Sequence, residues 1–136
     1  MFATVRYLGE LRTEATHLAS AQTITSDAPV DNHGKGAYFS PTDLLCTSLA
    51  QCILTTMAIA AEGRGFAFAG ATAEVTKTMS PNTPRRIARI DLLLRIEGQY
   101  DDAQKAALER IATHCPVGLS LHPDTHVVHQ IVWVGE

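Results

Sequence analysis

The sequence has few charged residues and lacks several of the motifs that identify common site classes. Only 18% of its 136 residues are charged, the net charge is −3, and no Lys/Arg cluster occurs beyond Arg85, Arg86 and Arg89. This composition argues against a nucleic-acid partner. The sequence contains no G-x-x-x-x-G-K-[ST] phosphate loop and no G-x-S-x-G nucleophile elbow. It therefore gives no support to a P-loop nucleotide-binding protein or an α/β-hydrolase.

Cysteine is also scarce. There are three cysteines, an odd number, and none forms a C-x-x-C pair. This pattern suits a reducing cytosol better than a secreted disulfide scaffold, and no basic segment precedes an apolar run at the N-terminus. We therefore expect a cytoplasmic protein. The length predicts a single domain, 1–136, and the 46% hydrophobic content is ample for a core.

A metal site is not expected, although histidine is frequent near the C-terminus. Pro123 interrupts any helix that would join the neighbouring histidines, and no spacing matches a zinc motif. The residues concerned are His114, Cys115, His122, His126 and His129.

The most informative stretch carries no charge from Leu44 to Ala61. It includes three threonines, a serine and a glutamine, so we expect no membrane span. Ser40 can cap a helix, Pro41 suits its first position, and Asp43 completes a capping box. The pattern predicts a helix over 41–62. A helix this apolar is typically buried on more than one side, which in a short chain suggests that a second subunit covers it.

The remaining patterns place this helix in an α+β fold of order βββ-α-ββ-α-α-β. In the segment 86–97, apolar residues alternate with polar ones, which indicates a half-buried strand. The other predicted elements are strands over 3–9, 12–18, 21–26, 72–80 and 127–134, a helix over 101–115 and a short helical turn over 117–121.

The cysteines are the candidate reactive residues. One interpretation is that all three are small buried hydrophobes, which fits Cys46 best. The other is a redox couple, in which the attacking thiol must be a partly exposed thiolate. Cys52 lies about three turns into its helix, too far from the N-terminus for the helix dipole to assist it. Cys115 precedes Pro116 as an N-cap beside His114, so local reasoning favours Cys115 as the attacking thiol.

Two segments carry a resemblance to a known family. In 34–52 a cysteine, Cys52, follows the helix-start proline Pro41 by eleven residues, and in 114–121 Cys115 precedes Pro116 and Val117. These motifs resemble the osmotically inducible protein C and organic hydroperoxide resistance (OsmC/Ohr) superfamily. The resemblance implies an intertwined homodimer with a long buried central helix. It also implies thiol-dependent reduction of organic hydroperoxides, and less well of hydrogen peroxide, in oxidative-stress defence without a bound cofactor.

The resemblance also assigns roles, and it reverses the local preference for Cys115. Cys52 is expected to attack the peroxide and Cys115 to resolve the sulfenic acid to a disulfide. An external dithiol, of which a lipoylated protein is one candidate, reduces that disulfide. An arginine of the N-terminal sheet supports the thiolate; Arg12 matches best, with Arg6 as the alternative.

One position departs from the family pattern. Thr42 stands where the family has a glutamate that orients the arginine. This leaves two alternatives to the peroxidase: an OsmC-like protein that binds a small ligand or electrophile without turnover, and a protein whose cysteines are inert core residues.

Overall fold

The computed structural model describes residues 1–135 and confirms the α+β class and the predicted element order. The chain divides into two compact units between Leu45 and Cys46, and each unit contains a three-stranded sheet. The strands are β1 (Ala3–Gly9), β2 (Arg12–His17), β3 (Thr23–Asp27), β4 (Gly70–Met79), β5 (Ile87–Glu97) and β6 (His126–Val134). The helices are α1 (Pro41–Gly63), α2 (Asp102–Ala112) and α3 (Pro116–Leu119), and a 3₁₀ turn spans Val30–Asn32.

In the first unit, β1, β2 and β3 form an antiparallel meander, as predicted. The register pairs Arg6 with Glu14 and Arg12 with Asp27. Because side chains alternate along a strand, these charged residues share one face of the sheet. The opposite face carries Val5, Ala15 and Ile24 at paired positions.

In the second unit, β5 is the central strand. It pairs antiparallel with β4 and parallel with β6. The predicted alternation along β5 is confirmed, because its inward side chains are all at most 1% exposed: Ile90, Leu92, Leu94 and Ile96. They form one hydrophobic cluster with Leu108 of α2 and with α1 side chains.

The start of α1 is a capping box, as the sequence predicted. The Ser40 hydroxyl oxygen accepts the Asp43 N–H at 3.0 Å, and Asp43 Oδ2 accepts the Ser40 N–H at 2.9 Å. Two of the N–H groups that a helix start leaves unpaired are thereby satisfied.

Helix α2 is shorter than predicted. It starts with an Asp101–Gln104 capping box but ends at Ala112 rather than at 115. The Thr113 N–H donates to the Arg110 carbonyl and the His114 N–H to the Ile111 carbonyl, and residues 113–115 then lead into α3. The early end is consistent with Pro116, because the residue before a proline disfavours helical backbone.

Helix α1 is the one helix in residues 1–135 that is long and apolar enough to cross a membrane, with a mean hydropathy of 1.8 over 18 residues. Core helices pass the same test. Buried side chains of α1, among them Leu49, Ile53 and Met57, belong to the hydrophobic cluster of the second unit. We therefore interpret α1 as a core helix.

Neighbouring leucines of β5 provide a test of this core. Leu92 is buried whereas Leu93 is only half-buried on the other face of the strand. We expect Leu92→Ala to lower the free energy of unfolding by about 2–5 kcal/mol, because it leaves a cavity, and Leu93→Ala to cost less than about half as much. Urea denaturation measures both, and equal losses would contradict the assigned faces.

Candidate functional site

Helix α1 carries two of the three cysteines on different faces. Cys46 is 1% exposed and packs within the hydrophobic cluster, as predicted. Cys52 is half-buried at the margin of the same cluster. Of the two thiols on this helix, Cys52 is the one with partial access to solvent, which a reactive cysteine requires.

The helix itself offers the Cys52 thiol little support as a thiolate. The Thr56 hydroxyl donates to the Cys52 backbone carbonyl at 2.6 Å, and its oxygen lies 3.9 Å from the Cys52 Sγ. Since the hydroxyl proton is used by the carbonyl, Thr56 can only accept from the thiol in this conformation. A cation to stabilise a Cys52 thiolate must therefore come from elsewhere.

Cys115 is the N-cap of α3, as the sequence predicted. Its Sγ accepts the Gly118 N–H at 3.3 Å. A methyl group on Gly118 would lie 3.3 Å from that sulfur and 3.5 Å from Leu49 Cδ1. The absence of a side chain at Gly118 therefore lets the Cys115 turn pack closely against α1.

Burial determines the protonation of Cys115. The side chain is 0% exposed, and desolvation raises the pKa of the Cys115 thiol. The Gly118 N–H opposes this rise, but hydrogen bonding and charge from Cys52 raise the pKa of Cys115 further. Cys52 packs against the hydrophobic cluster to which Cys115 belongs, so the two side chains lie in the same part of the second unit.

The burial and the raised pKa of Cys115 argue against the local expectation that Cys115 is the attacking thiol. Desolvation outweighs the N-cap hydrogen bond, so Cys115 remains a thiol where an attacking cysteine must ionise. The expected support from His114 is also not seen. Its exposed ring lies at the end of α2, with Nδ1 2.9 Å from the Arg110 carbonyl oxygen.

The two candidate arginines of the first unit differ in their surroundings. Arg6 is 72% exposed and pairs with Glu14 at 3.0 Å. Arg12 is 26% exposed, lies 3.5 Å from Asp27 Oδ2, and has its guanidinium carbon 5.3 Å from the centre of the Tyr38 ring. Arg12 is therefore the more tightly held of the two, since long exposed side chains retain more rotamer freedom.

Asp27 is a residue that the sequence prediction missed, because it lies just beyond the strand predicted over 21–26. Its side chain is fully buried. The Ala37 N–H, at 3.0 Å from Oδ2, and the charge of Arg12 lower the pKa of Asp27, although burial opposes them. Asp27 is thus an ionised carboxylate inside the first unit, and only long-range pairing of β2 with β3 reveals it.

Two further features of residues 1–135 bear on ligands. No group of three or more His, Cys, Asp and Glu side chains in this part of the chain is arranged to hold a metal ion. The first unit has an open hollow of about 450 Å³ beside the Arg12 partner Tyr38; it is lined by Thr25, Ala37, Tyr38, Phe39 and Asp43.

Comparisons with known proteins identify the family. The profile of OsmC-like proteins matches residues 33–130. A solved protein from Psychrobacter arcticus, provisionally described as an osmotic-stress-induced and detoxification-response protein, is 45% identical over 97% of this chain and 96% of that chain, with a TM-score of 0.90. No curated protein matches the sequence.

More distant structures share the fold alone. An OsmC-like protein from Mycoplasma pneumoniae is 19% identical, covers 98% of this chain and 96% of that chain, and has a TM-score of 0.80. A protein from Legionella pneumophila, described as an organic hydroperoxide resistance protein, is 15% identical, covers 96% of both chains and has a TM-score of 0.73.

The different burial of the thiols predicts an order of alkylation. With iodoacetamide at pH 7 we expect Cys52 to be modified first, because Cys115 is buried and its pKa is raised. As the pH rises towards the raised pKa, Cys115 should gain reactivity later than an ordinary thiol does. Peptide mass mapping measures both rates, with guanidinium-unfolded protein as the control; faster labelling of Cys115 at pH 7 would contradict this assignment.

Proposed function

The chain belongs to the OsmC-like family, and from this membership we propose that it is a thiol-dependent peroxidase that reduces organic hydroperoxides in oxidative-stress defence. The observation that carries the proposal is the adjacent pair of unlike thiols. Cys52 is partly exposed, whereas its neighbour Cys115 is buried with a raised pKa. The description of the Legionella pneumophila relative as an organic hydroperoxide resistance protein is consistent with this activity.

In the proposed cycle, the Cys52 thiolate attacks the terminal oxygen of the hydroperoxide. The O–O bond breaks, the alkoxide takes up a proton and leaves as the alcohol, and Cys52 becomes a sulfenic acid. The Cys115 thiol then attacks the Cys52 sulfur, and its proton leaves with the hydroxyl group as water. An external dithiol, with a lipoylated protein as a candidate, reduces the resulting disulfide by exchange.

The raised pKa of Cys115 suits the resolving role. A thiol that stays protonated does not compete with Cys52 for peroxide, because the thiolate is the nucleophile. Part of the rise in pKa comes from Cys52 itself. Oxidation of Cys52 to the sulfenic acid removes the thiolate charge beside Cys115, which makes loss of the Cys115 proton easier in the second step.

Arg12 is the proposed partner of the Cys52 thiolate, in preference to Arg6. It is partly buried and held between Asp27 and Tyr38, whereas Arg6 is mostly exposed. A fixed cation that is shielded from water stabilises an anion more than a mobile exposed one does. The neighbouring aromatic side chains Tyr38 and Phe39 offer apolar surface, which favours organic peroxides over hydrogen peroxide.

We also propose that the protein is a cytoplasmic homodimer. The β1–β3 sheet leaves large apolar side chains exposed on one face, with Val5 69% and Ile24 54% exposed. Helix α1 likewise exposes Ile59 at 64%. Exposed apolar side chains of this kind are typical of an interface, and a second copy of the chain would cover them.

Peroxide turnover tests the proposed activity. With cumene hydroperoxide and dithiothreitol we expect steady turnover by the wild type, loss of activity in Cys52→Ser, and wild-type activity in the packing control Cys46→Ala. Consumption of a single equivalent without turnover would contradict the peroxidase and favour the ligand-binding or electrophile-binding alternative. Unchanged activity in Cys52→Ser would contradict the assignment of the attacking thiol.

Oligomeric state tests the second proposal. Light scattering should give twice the 14.7 kDa mass of the chain. We expect Val5→Glu to weaken the dimer, because it places a charge on the apolar face. Thr72→Glu, on an exposed position of β4, serves as the matched control and should leave the mass unchanged. A wild type that is monomeric at micromolar concentration would overturn the proposal.

A further inference from the structure

We propose that Asp27 is the carboxylate that positions Arg12 for its role at the thiol, in place of the glutamate expected where Thr42 stands. This inference rests on the proposed function. The register of β2 and β3 sets Arg12 and Asp27 directly opposite each other on the same face of the sheet. Arg12 Nη2 lies 3.5 Å from Asp27 Oδ2, and the guanidinium carbon of Arg12 lies 5.3 Å from the centre of the Tyr38 ring.

Asp27 also connects Arg12 to the segment that leads into α1. Its Oδ2 accepts the Ala37 N–H at 3.0 Å, and its own N–H donates to the Phe39 carbonyl at 3.1 Å. The same carboxylate oxygen therefore contacts the arginine and the backbone just before the helix-start proline. A residue at this position can fix the guanidinium relative to the start of the helix that bears Cys52.

The acidic character of Asp27 is maintained although the side chain is buried. A buried carboxylate is costly unless it is paired and hydrogen-bonded. Here the Ala37 N–H and Arg12 supply those partners. Thr42 has no charge with which to balance the guanidinium, and the carboxylate of Asp43 accepts the Ser40 N–H in the capping box.

The Arg12–Asp27 ion pair leaves one polar atom on each side chain without a hydrogen bond. Arg12 Nε and Asp27 Oδ1 are buried and have no hydrogen-bond partner among residues 1–135. A bidentate arginine–carboxylate pair engages two guanidinium nitrogens in short hydrogen bonds, whereas here Nη2 lies 3.5 Å from Asp27 Oδ2 and Nε makes no hydrogen bond within residues 1–135. Asp27 therefore pairs with Arg12 while the Arg12 Nε–H has no partner within residues 1–135, so this N–H can donate to another group.

The chain offers a matched control. Glu14 pairs with Arg6 across β1 and β2, as Asp27 pairs with Arg12 across β2 and β3. Both pairs join an arginine to a carboxylate at opposed strand positions, but the Arg6–Glu14 pair is exposed. Asp27→Asn and Glu14→Gln thus remove one charge each from comparable pairs, and only the first should affect Cys52.

The experiment compares wild type, Asp27→Asn, Glu14→Gln, Arg12→Ala and the Arg12→Ala/Asp27→Asn double variant, with circular dichroism to verify folding. One readout is the rate of Cys52 alkylation by iodoacetamide from pH 5 to 10, and the other is kcat/KM for cumene hydroperoxide. We expect Asp27→Asn to lower both at pH 7 by about tenfold, because the guanidinium of Arg12, the charge opposite to the thiolate, is no longer held in place. Glu14→Gln should stay within about twofold of wild type.

The double variant distinguishes positioning from a structural effect. If Asp27 acts through Arg12, Asp27→Asn adds nothing in the Arg12→Ala background; a full additional loss there would overturn the inference. Wild-type alkylation in Asp27→Asn together with slow alkylation in Arg12→Ala would also overturn it. If Asp27→Asn does not fold, Asp27→Ser takes its place, because the hydroxyl can still accept the Ala37 N–H, and the same results are expected.

The two readouts separate this inference from the proposed function. Alkylation of Cys52 requires no turnover. A wild type that consumes no peroxide would therefore overturn the proposed peroxidase activity, while the alkylation rates would still decide the role of Asp27. Conversely, equal peroxide turnover by the wild type and by Asp27→Asn would support the proposed peroxidase activity and overturn the role of Asp27.

Discussion

Burial of one face of α1 is the constraint on which the thiol pair depends. Leu49, Ile53 and Met57 of this helix are at most 1% exposed and cluster with the inward side chains of β5. Each such side chain contributes about 1.5–3 kcal/mol when it is removed from water. The rotation of α1 that buries this face leaves Cys52 at the margin of the cluster, and Leu49 packs near the Gly118 position of the Cys115 turn.

Burial also decides which thiol can react first. Cys115 has the better local environment by sequence, because an N-cap sulfur accepts the Gly118 N–H. Hydrogen bonds from the backbone of Gly118 and Val117 do not compensate for desolvation, so the pKa of Cys115 rises. Cys52 lacks such a cap but keeps partial exposure. The roles that the family resemblance implies for Cys52 and Cys115 remain a proposal, and this difference in burial supports it.

Local signals predicted much of the fold. Ser40 and Asp43 specify the helix start through contacts within one turn, and the alternation of Ile90, Leu92 and their neighbours specifies the buried face of β5. The parallel pairing of β6 with β5 was not predicted, because no local pattern encodes it. The burial of Asp27 beside Arg12 depends in the same way on the register between two strands. The resemblance already ranked Arg12 above Arg6, and the structure adds the physical difference that Arg12 is held beside Asp27 whereas Arg6 is mostly exposed.

The central claim is that Cys52 attacks the peroxide and Cys115 resolves the product. The most direct measurement is the intact mass and peptide map of the reduced protein after one equivalent of cumene hydroperoxide. The account predicts a loss of two hydrogens and a peptide that links Cys52 to Cys115, with Cys46 still alkylatable after unfolding. If Cys52 and Cys115 both remain free thiols after the peroxide is consumed, or if the disulfide includes Cys46, the account is contradicted.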